Sequence, residues 1–353
     1  MPTVELPRSH VEGPAAWIGA ELARHPERWI YTLSAAELAD IDANVERLRG
    51  HDLADLRRDD FLLPTLGPVL DRMRGEVLDG RGFVLIRGLP VEGRSIADSA
   101  LAYWAVGTRF GNPRSQNAMG HLLGHVTDLG VATSDPNVRT YQTTERQHFH
   151  TDSCDIVGLL CLKTARSGGL SSIVSSMSIY NAMAKRRPDL LARLCRPFAT
   201  DRRGEVPVGQ KPYFDMPVYN AHEGYISAIY SGTYIRSAQR FPEVPRLTPT
   251  DIEALEMFDD LANDKNLRLD MELRPGDMQF LHNHTCLHDR TAFVDWPEPA
   301  RKRHLLRLWL AAPGARPLPP VYAPRYGSTT IGDRGGIICE KTRLHAPLVP
   351  VSG

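Results

Sequence analysis

The sequence predicts a mainly β fold with flanking helices, because two parts of the chain follow different patterns. From about residue 122 onward, short β-branched or alternating runs are separated by turn signals such as Gly168-Gly169 and Pro275-Gly276. Many short strands at this spacing are typical of an antiparallel sandwich or barrel. The first 80 residues instead repeat apolar residues at helical spacing, which indicates helices beside the sheets.

The individual elements have recognisable start and stop signals. Ser34 is suited to cap a helix that ends at Gly50, and Thr248-Pro249 combines a cap with a favoured first helical residue. Glycine and proline bound an apolar run that is typical of a strand. Helices are predicted over residues 13–29, 32–50, 65–82, 95–111, 178–195 and 248–264, and this strand over 83–90.

The domain organisation is predicted to be simple. Neither a linker nor a repeat nor a low-complexity tract divides the sequence, so we expect one domain over residues 1–353. Its parts are a helical N-terminal region over 1–80, a β core with helical insertions over 81–312 and a tail over 313–353. The tail is rich in proline and glycine, which predicts ordered coil or an arm.

Composition narrows the classes of partner. The 353 residues include 42 Lys plus Arg and 42 Asp plus Glu, so the formal net charge is zero. Nucleic acids and anionic membranes attract a basic surplus, so we expect neither as a partner. The start lacks the features of a signal peptide, and no apolar run approaches the roughly 18 residues of a bilayer span. Five cysteines without a CxxC pair predict reduced thiols and a cytoplasmic location, whereas the oligomeric state is not indicated.

The stretch QHFHTDSC, Gln147–Cys154, carries the strongest chemical signal. In a strand, His150 and Asp152 project to the same face and can occupy adjacent positions on one metal, and alternation adds His148 to that face. A third ligand must come from elsewhere. The second histidine-rich stretch, LHNHTCLHDRTAF over 281–293, offers three candidates, which are His282, His284 and His288.

Two imidazoles and one carboxylate suit the facial triad of non-heme Fe(II) oxygenases, which leaves metal positions open for a co-substrate and O2. The segment that follows, ARKRHLLRLWL, places Arg303 and Arg307 on one face of a strand, about 13 Å apart at ~3.3 Å per residue. A buried arginine needs an anionic partner, which is either a carboxylate of the protein or one of a ligand.

Together these residues resemble the taurine dioxygenase and clavaminate synthase-like superfamily of Fe(II)- and 2-oxoglutarate-dependent oxygenases. The resemblance rests on His150-Thr151-Asp152, Gly168-Gly169, LHDRTAF at 287–293 and RKRHLLRLWL at 301–310. It implies the double-stranded β-helix, a jelly-roll of two antiparallel sheets, for the core.

The resemblance also implies a role for individual residues. It makes His150, Asp152 and His288 the iron ligands, and Arg303 with Ser171 the binding site for the distal carboxylate of 2-oxoglutarate. The neighbouring Ser172 leaves that register open by one residue. Arg307 matches a position that often holds an anionic group of the primary substrate. We expect Arg146, four residues before His150, and His148 as further candidates for the substrate pocket.

The predicted function is therefore a 2-oxoglutarate-dependent dioxygenase that hydroxylates a small organic acid or amino-acid-like substrate, which we expect to be anionic. Desaturation, epoxidation or cyclisation by the same iron chemistry is an alternative. One rival class is a jelly-roll hydrolase or isomerase that uses Zn or Mn, but such an enzyme would not explain the presence of Arg303 and Arg307. The other is a non-catalytic ligand-binding jelly-roll, in which the three candidate metal ligands need not converge.

Overall fold

The fold is built around two sheets that face each other across a shared apolar layer. The computed structural model of the chain describes residues 7–131 and 138–351. In chain order, the helices are α1 (Gly19–Ala23), α2 (Ala35–Leu48), α3 (Gly67–Leu78), α4 (Ile96–Phe110), α5 (Ser176–Arg186), α6 (Pro188–Leu194), α7 (Gly232–Ser237), α8 (Pro249–Asn263) and α9 (Ala323–Tyr326).

The strands are mostly short, as the frequent turn signals predict. In chain order, they are β1 (Ile30–Thr32), β2 (Phe83–Arg87), β3 (Asn112–Arg114), β4 (Leu123–Val126), β5 (Gln147–His150), β6 (Ile156–Lys163), β7 (Ser167–Gly168), β8 (Ser171–Ser175), β9 (Pro197–Asp201), β10 (Tyr213–Pro217), β11 (Tyr219–His222), β12 (Tyr225–Ala228), β13 (Arg268–Met271), β14 (Met278–His282), β15 (Cys286–Arg290), β16 (Phe293–Val294) and β17 (His304–Ala311).

Two of the sheets form the jelly-roll. The larger one has seven strands in the order β1-β2-β14-β6-β17-β3, with β4 also paired to β17. Its first pair is parallel, and the other pairs are antiparallel. The smaller sheet has the order β13-β8-β15-β5 and is antiparallel throughout. The remaining strands form two-stranded ribbons at the periphery.

Strand alternation decides what each face of β17 contacts. Leu306 and Leu308 belong to an apolar cluster that also contains residues of α2, α3 and α4. Leu305 and Trp309 instead pack between the two sheets, together with Ile173 of the smaller sheet. Successive residues of a strand point to opposite faces, so β17 presents one face to the helices and the other to the interior of the jelly-roll. The interior face is the one that reaches the site described below.

Helices cover the outer faces of both sheets. Trp104 of α4 packs in the same cluster as Phe280 of β14, on the larger sheet. Phe258 of α8 packs with Leu287 of β15, on the smaller sheet. The apolar faces of both sheets are therefore buried twice, once against each other and once against helices. Within the described ranges, none of the helices combines the length and the apolar character that a membrane crossing requires.

The helix predictions are confirmed in type and corrected in extent. Ser34 forms a capping box at the start of α2, and Thr248 does the same for α8. The helix predicted over 178–195 divides into α5 and α6 at Pro188, because proline disfavours the helical conformation of the residue before it. Of the helix predicted over 13–29, only α1 forms, and a separate short turn begins at Pro26.

The tail is packed into the jelly-roll rather than extended from it. The guanidinium of Arg334 contacts the carboxylate of Asp155 at 2.8 Å, and both side chains are fully buried. The amide of Gly336 donates to the carbonyl of Ser153 at 2.8 Å. Both partners lie in the segment that follows β5, so the tail braces the part of the chain that contains Asp152.

Candidate active site

Three potential metal ligands converge between the sheets. His150 ends β5, Asp152 lies two residues further on, and His288 lies opposite His150 in β15. One ligand atom from each residue lies within 4.8 Å of the others. The Nε2 atoms of His150 and His288 are 3.8 Å and 3.7 Å from the Asp152 carboxylate oxygens. Two imidazoles and one carboxylate at one point are the donor set of a non-heme Fe(II) facial triad.

Burial keeps these groups in the protonation states that metal binding needs. It lowers the pKa of His150, and it lowers the pKa of His288 to about 3, with His150 nearby as a second cause. Burial opposes ionisation of Asp152, but the charge of Arg307 and the two histidines hold the pKa of that carboxyl below its usual value. At neutral pH the cluster is therefore two neutral imidazoles and one carboxylate, and no proton has to leave when a metal binds.

Neighbouring groups fix the orientation of the three side chains. The indole Nε1 of Trp309 donates to Asp152 Oδ2 at 2.8 Å, and Asn283 Oδ1 accepts the Asp152 amide at 2.9 Å. His150 Nδ1 lies 2.8 Å from the carbonyl of His148. That contact places a proton on Nδ1, so Nε2 is the acceptor atom of the ring. The Gln147 amide nitrogen lies 2.9 Å from Nε2 and donates to it, so this amide has to turn away when Nε2 binds a metal.

A small pocket of about 450 Å³ adjoins the cluster on one side. Its walls come mainly from the strands, and they include Ser171, Gln279, His288, Arg303 and Leu305. The Nη1 atom of Arg303 is buried and has no hydrogen-bond partner among the described residues. Burial lowers the pKa of Arg303 to about 10, so the group remains a cation at neutral pH. A buried cation without a partner is costly, and an anionic co-substrate would supply one.

Ser171 and Ser172, the two candidates for the 2-oxoglutarate site, point to opposite faces of β8. Ser171 lines the small pocket. Ser172 turns away and donates its hydroxyl to Asp270 at 2.6 Å. Arg290 also lines this pocket, and it donates to the backbone carbonyls of Thr143 and Glu145. The sequence contained Arg290 within LHDRTAF but gave no reason to assign it a role.

A larger cavity of about 750 Å³ lies on the other side of the cluster. Three arginines, several aromatic side chains and the first two metal-ligand candidates line it. They include Gln116, Arg139, Tyr141, His150, Asp152, Ser153, Phe214, Tyr230, Tyr234, Arg307, Trp309 and Arg325. Arg307 lines both spaces, and its Nη1 is 3.6 Å from Asp152 Oδ2. Its Nε donates to Gln116 Oε1 at 2.7 Å, and its guanidinium stacks on Tyr141.

Arg146 and His148 lie elsewhere, contrary to the expectation for the substrate pocket. Arg146 pairs with Asp289 at 2.9 Å, and with His148 it lines a separate surface depression. A β-bulge causes the difference, because β15 pairs His288 with His150 but Arg290 with Gln147. The extra residue in β5 breaks the alternation, and His148 becomes exposed.

The other two histidines of the second stretch are structural neighbours of the site. His284 Nε2 is 3.0 Å from Asp155 Oδ1, and His282 Nδ1 is 3.1 Å from the Thr285 hydroxyl. Both rings are fully buried behind the cluster. Of the three histidines that strand geometry left open, His288, which the resemblance favoured, is the one that lies in the cluster with His150 and Asp152.

Sequence reasoning missed two arginines of the larger cavity, Arg139 and Arg325. Arg139 pairs with Glu205 and donates to the Tyr234 hydroxyl at 2.6 Å. Arg325 comes from the tail, and its Nε donates to Ser153 Oγ at 2.7 Å. Neither residue belongs to a periodic segment, so nothing in the sequence predicted that either would face the site.

The fold and the site define the class of protein. The jelly-roll carries two histidines and a carboxylate between its sheets, beside a buried arginine whose Nη1 has no partner in the part of the chain that the structure describes. This arrangement is suited to a non-heme iron oxygenase with an anionic co-substrate.

The family follows from the comparison of sequences. The chain belongs to the taurine catabolism dioxygenase TauD, TfdA family, whose model matches residues 45–309. FR-33289 synthase of Streptomyces rubellomurinus is 31% identical over 328 residues, which are 90% of this chain and 94% of that protein. A taurine hydroxylase-like protein of Stachybotrys chartarum is 28% identical over 305 residues, which are 83% of this chain and 77% of that protein.

Solved structures agree on the fold. Asparagine oxygenase in complex with Fe(II), a hydroxyasparagine and succinate superimposes with a TM-score of 0.64 at 15% identity, over 80% of this chain and 93% of that one. The non-heme iron oxygenase OrfP, solved with Fe and alpha-ketoglutaric acid, gives 0.60 at 16% identity, over the same shares. The predicted jelly-roll is confirmed, and with the family the chain is a 2-oxoglutarate-dependent dioxygenase that uses Fe(II), 2-oxoglutarate and O2.

Proposed function

We propose that the enzyme hydroxylates an unactivated C–H bond of a small organic acid or amino-acid-like substrate, with succinate and CO2 as co-products. In this proposal His150, Asp152 and His288 bind the iron. Arg303 and Ser171 bind the distal carboxylate of 2-oxoglutarate in the small pocket. The primary substrate occupies the larger cavity, where Arg307 faces one of its anionic groups.

The single observation that carries the proposal is the position of Arg303. Its Nη1 is buried and has no hydrogen-bond partner within residues 7–131 and 138–351, in a pocket that His288, one of the three ligand candidates, also lines. A dicarboxylate that reached from the metal to this guanidinium would neutralise the charge. A hydrolase or isomerase that used only a metal would leave Arg303 without a function.

The bound iron and 2-oxoglutarate would supply the oxidising chemistry. The protein would orient the metal ligands and the substrate and would exclude water from the site. Trp309 and Asn283 hold Asp152 in one orientation through their hydrogen bonds. Arg307, fixed by Gln116, directs an anionic group of the substrate toward the cluster. Tyr141 and Trp309 cover this guanidinium and limit the access of water to it.

Anaerobic titration tests the binding part of the proposal. Adding Fe(II) and 2-oxoglutarate to the protein is expected to produce the visible charge-transfer band of the chelate. The Arg303→Ala variant is expected to need much more 2-oxoglutarate to develop the same band. A normal affinity in that variant would contradict the assignment of Arg303.

Succinate release across a panel of small acids tests the substrate class, and product analysis separates hydroxylation from desaturation, epoxidation or cyclisation. Release that no small acid stimulates would contradict the proposed substrate class. A cytoplasmic location is also proposed, supported by five cysteines that are all unpaired in the structure.

A further inference from the structure

Arg325 brings a positive charge into the larger cavity from outside the jelly-roll. It lies in α9 of the tail, it lines the cavity, and only 9% of it is exposed. Its Nε donates to Ser153 Oγ, and its guanidinium lies 5.5 Å from the ring centre of Phe214. Ser153 directly follows Asp152, so Arg325 approaches the chain one residue away from a metal-ligand candidate.

The surrounding contacts hold Arg325 in place before any ligand binds. The residue after Arg325, Tyr326, accepts a hydrogen bond from the Gly335 amide through its carbonyl. Further along the tail, Arg334 forms a fully buried ion pair with Asp155. The carbonyl of Pro324 accepts a hydrogen bond from Arg202 at 2.8 Å. A guanidinium fixed in this way loses little conformational entropy when it binds an anion.

Among residues 7–131 and 138–351, Arg325 has no carboxylate partner within salt-bridge distance. The other cations of the cavity differ from it in this respect. Arg139 is paired with Glu205, and Arg307 is 3.6 Å from Asp152, whose carboxylate belongs to the metal cluster. The two η nitrogens of Arg325 make no hydrogen bond within the described residues, although its Nε does. Burial of such a group is favourable only when an anion can reach it.

We propose that Arg325 binds an oxyanion of the primary substrate, so that Arg307 and Arg325 together select a substrate with two negative charges. The inference rests on the proposed function and names the substrate class more narrowly. The chemistry is that of a carboxylate, phosphate or phosphonate held by guanidinium hydrogen bonds. The two charges belong either to two separate groups or to one phosphate-type group that both arginines contact.

Binding to the anaerobic enzyme tests the inference without turnover. The full chain, saturated with Fe(II) and 2-oxoglutarate, is titrated calorimetrically with butyrate, adipate, 3-phosphonopropionate and methylphosphonate. We expect adipate or the phosphonates to bind at least about tenfold more tightly than butyrate, since each charge-assisted hydrogen bond adds to affinity. Adipate and methylphosphonate distinguish two separate groups from one doubly charged group.

The variants identify the residue responsible. Arg325→Gln is expected to weaken binding of the preferred dianion about tenfold or more and to change butyrate binding less than about threefold. Arg325→Lys, which keeps the charge, is expected to restore part of the affinity. Arg114→Gln is the matched control, because Arg114 contacts the same tail through Asp333 and Gly335 and is not among the residues that line the larger cavity. Arg114 and Arg325 both line a separate depression on the other side of the tail, so the control also tests that depression.

Three results would overturn the inference. They are equal binding of mono- and dianions by the wild type, unchanged dianion binding in Arg325→Gln, and the same loss in Arg114→Gln. If Arg325→Gln does not fold, Ser153→Ala takes its place, since it removes the hydrogen bond that orients the guanidinium. Failure of the proposed function has a different signature, which is the absence of succinate release from any acid, mono- or dianionic.

Discussion

The two spaces beside the metal cluster are built from different parts of the chain. The small pocket has walls from β6, β8, β14, β15 and β17, which belong to the two sheets. The larger cavity draws many of its residues from loops, from α7 and from α9 in the tail. Sheet residues are fixed by ladder hydrogen bonds and by packing on both faces, whereas connecting loops on the surface tolerate more change in sequence. The proposed 2-oxoglutarate pocket is thus built from the sheets of the fold itself, and the proposed substrate cavity is built largely from the segments around them.

The same contrast applies to the charges. Arg303 directly precedes β17 and lines the small pocket, whose walls come mainly from strands. Arg325 of the larger cavity belongs to the tail, and its hydrogen bond to Ser153 orients it. One guanidinium is held by a strand segment and the other by the packing of the tail, so changes in the two regions should have separable consequences.

The largest effect is expected at the ligand cluster, on its small-pocket side. His288→Ala removes a side chain that borders the small pocket and belongs to the ligand cluster. Turnover and Fe(II) affinity should fall by more than the roughly 100-fold that loss of an outer partner of a metal ligand costs. The matched control is His148→Ala, an exposed histidine on the same strand as His150. Near-normal iron binding in His288→Ala would contradict the assignment.

The next largest effect concerns the tail. Arg334→Met leaves the fully buried carboxylate of Asp155 without its cation, which typically costs about 3–5 kcal/mol of the free energy of unfolding. Urea unfolding measures the loss. Arg114→Gln removes an ion pair to Asp333 that is largely exposed, so we expect a change of about 1 kcal/mol or less. Equal losses in the two variants would mean that the buried pair does not anchor the tail.

A smaller effect is expected on ligand affinity, and it should show that the two spaces bind different ligands. Arg303→Gln is expected to raise the Kd of 2-oxoglutarate about 30-fold or more, which corresponds to roughly 2 kcal/mol or more for a buried charge pair. Arg307→Gln should mainly weaken substrate binding. Parallel titrations with 2-oxoglutarate and with a substrate identified by succinate release measure both. A reversed pattern would exchange the roles of the two residues.

The smallest effect should come from a pair that lines neither space. His304 Nε2 lies 2.8 Å from His125 Nδ1, and burial, His125 and Lys163 lower the pKa of His304 to about 3. The unfolded chain binds this proton more tightly, so the contribution of His304 to stability is complete above about pH 6.5 and is lost as the pH falls toward 3. The free energy of unfolding should therefore decrease by up to about 1.4 kcal/mol per pH unit from this residue.

The His304→Gln variant checks that pH dependence. Its free energy of unfolding, measured in urea between pH 6.5 and 4.5, should depend less steeply on pH than that of the wild type. Equal slopes would mean that His304 does not remain neutral in the folded protein. Turnover of the variant at neutral pH is the control measurement. It should be unchanged, because His304 lines neither the small pocket nor the larger cavity.

The sequence predicted the parts of the site that strand geometry controls. His150 and Asp152, two residues apart, both belong to the ligand cluster. Arg303 and Arg307, four residues apart, both line the small pocket. Strand geometry alone left His282, His284 and His288 open, because the choice depends on the turn between β14 and β15, and the family resemblance was needed to choose His288. The structure places Arg146 at a separate surface depression, and the β-bulge that contributes to this has no reliable sequence signal.

Arg325 could not be predicted at all, and the reason is physical. It lies in a tail that packs on the jelly-roll through long-range contacts, such as that between Asp155 and Arg334, which are 179 residues apart. No local pattern encodes such a pairing, because neither charge differs in sequence from one on the surface. The proline- and glycine-rich composition of the tail correctly indicated irregular structure but not its packing against the jelly-roll.

The position of the tail also divides the two spaces along the chain. Every strand of both sheets and every residue that lines the small pocket precedes Ala312, whereas Arg325 of the larger cavity follows it. A chain that ended at Ala311 would therefore contain all the residues of the small pocket but would lack one of the three arginines of the larger cavity. A premature stop in the tail should thus remove part of the substrate cavity and leave the residues proposed to bind 2-oxoglutarate.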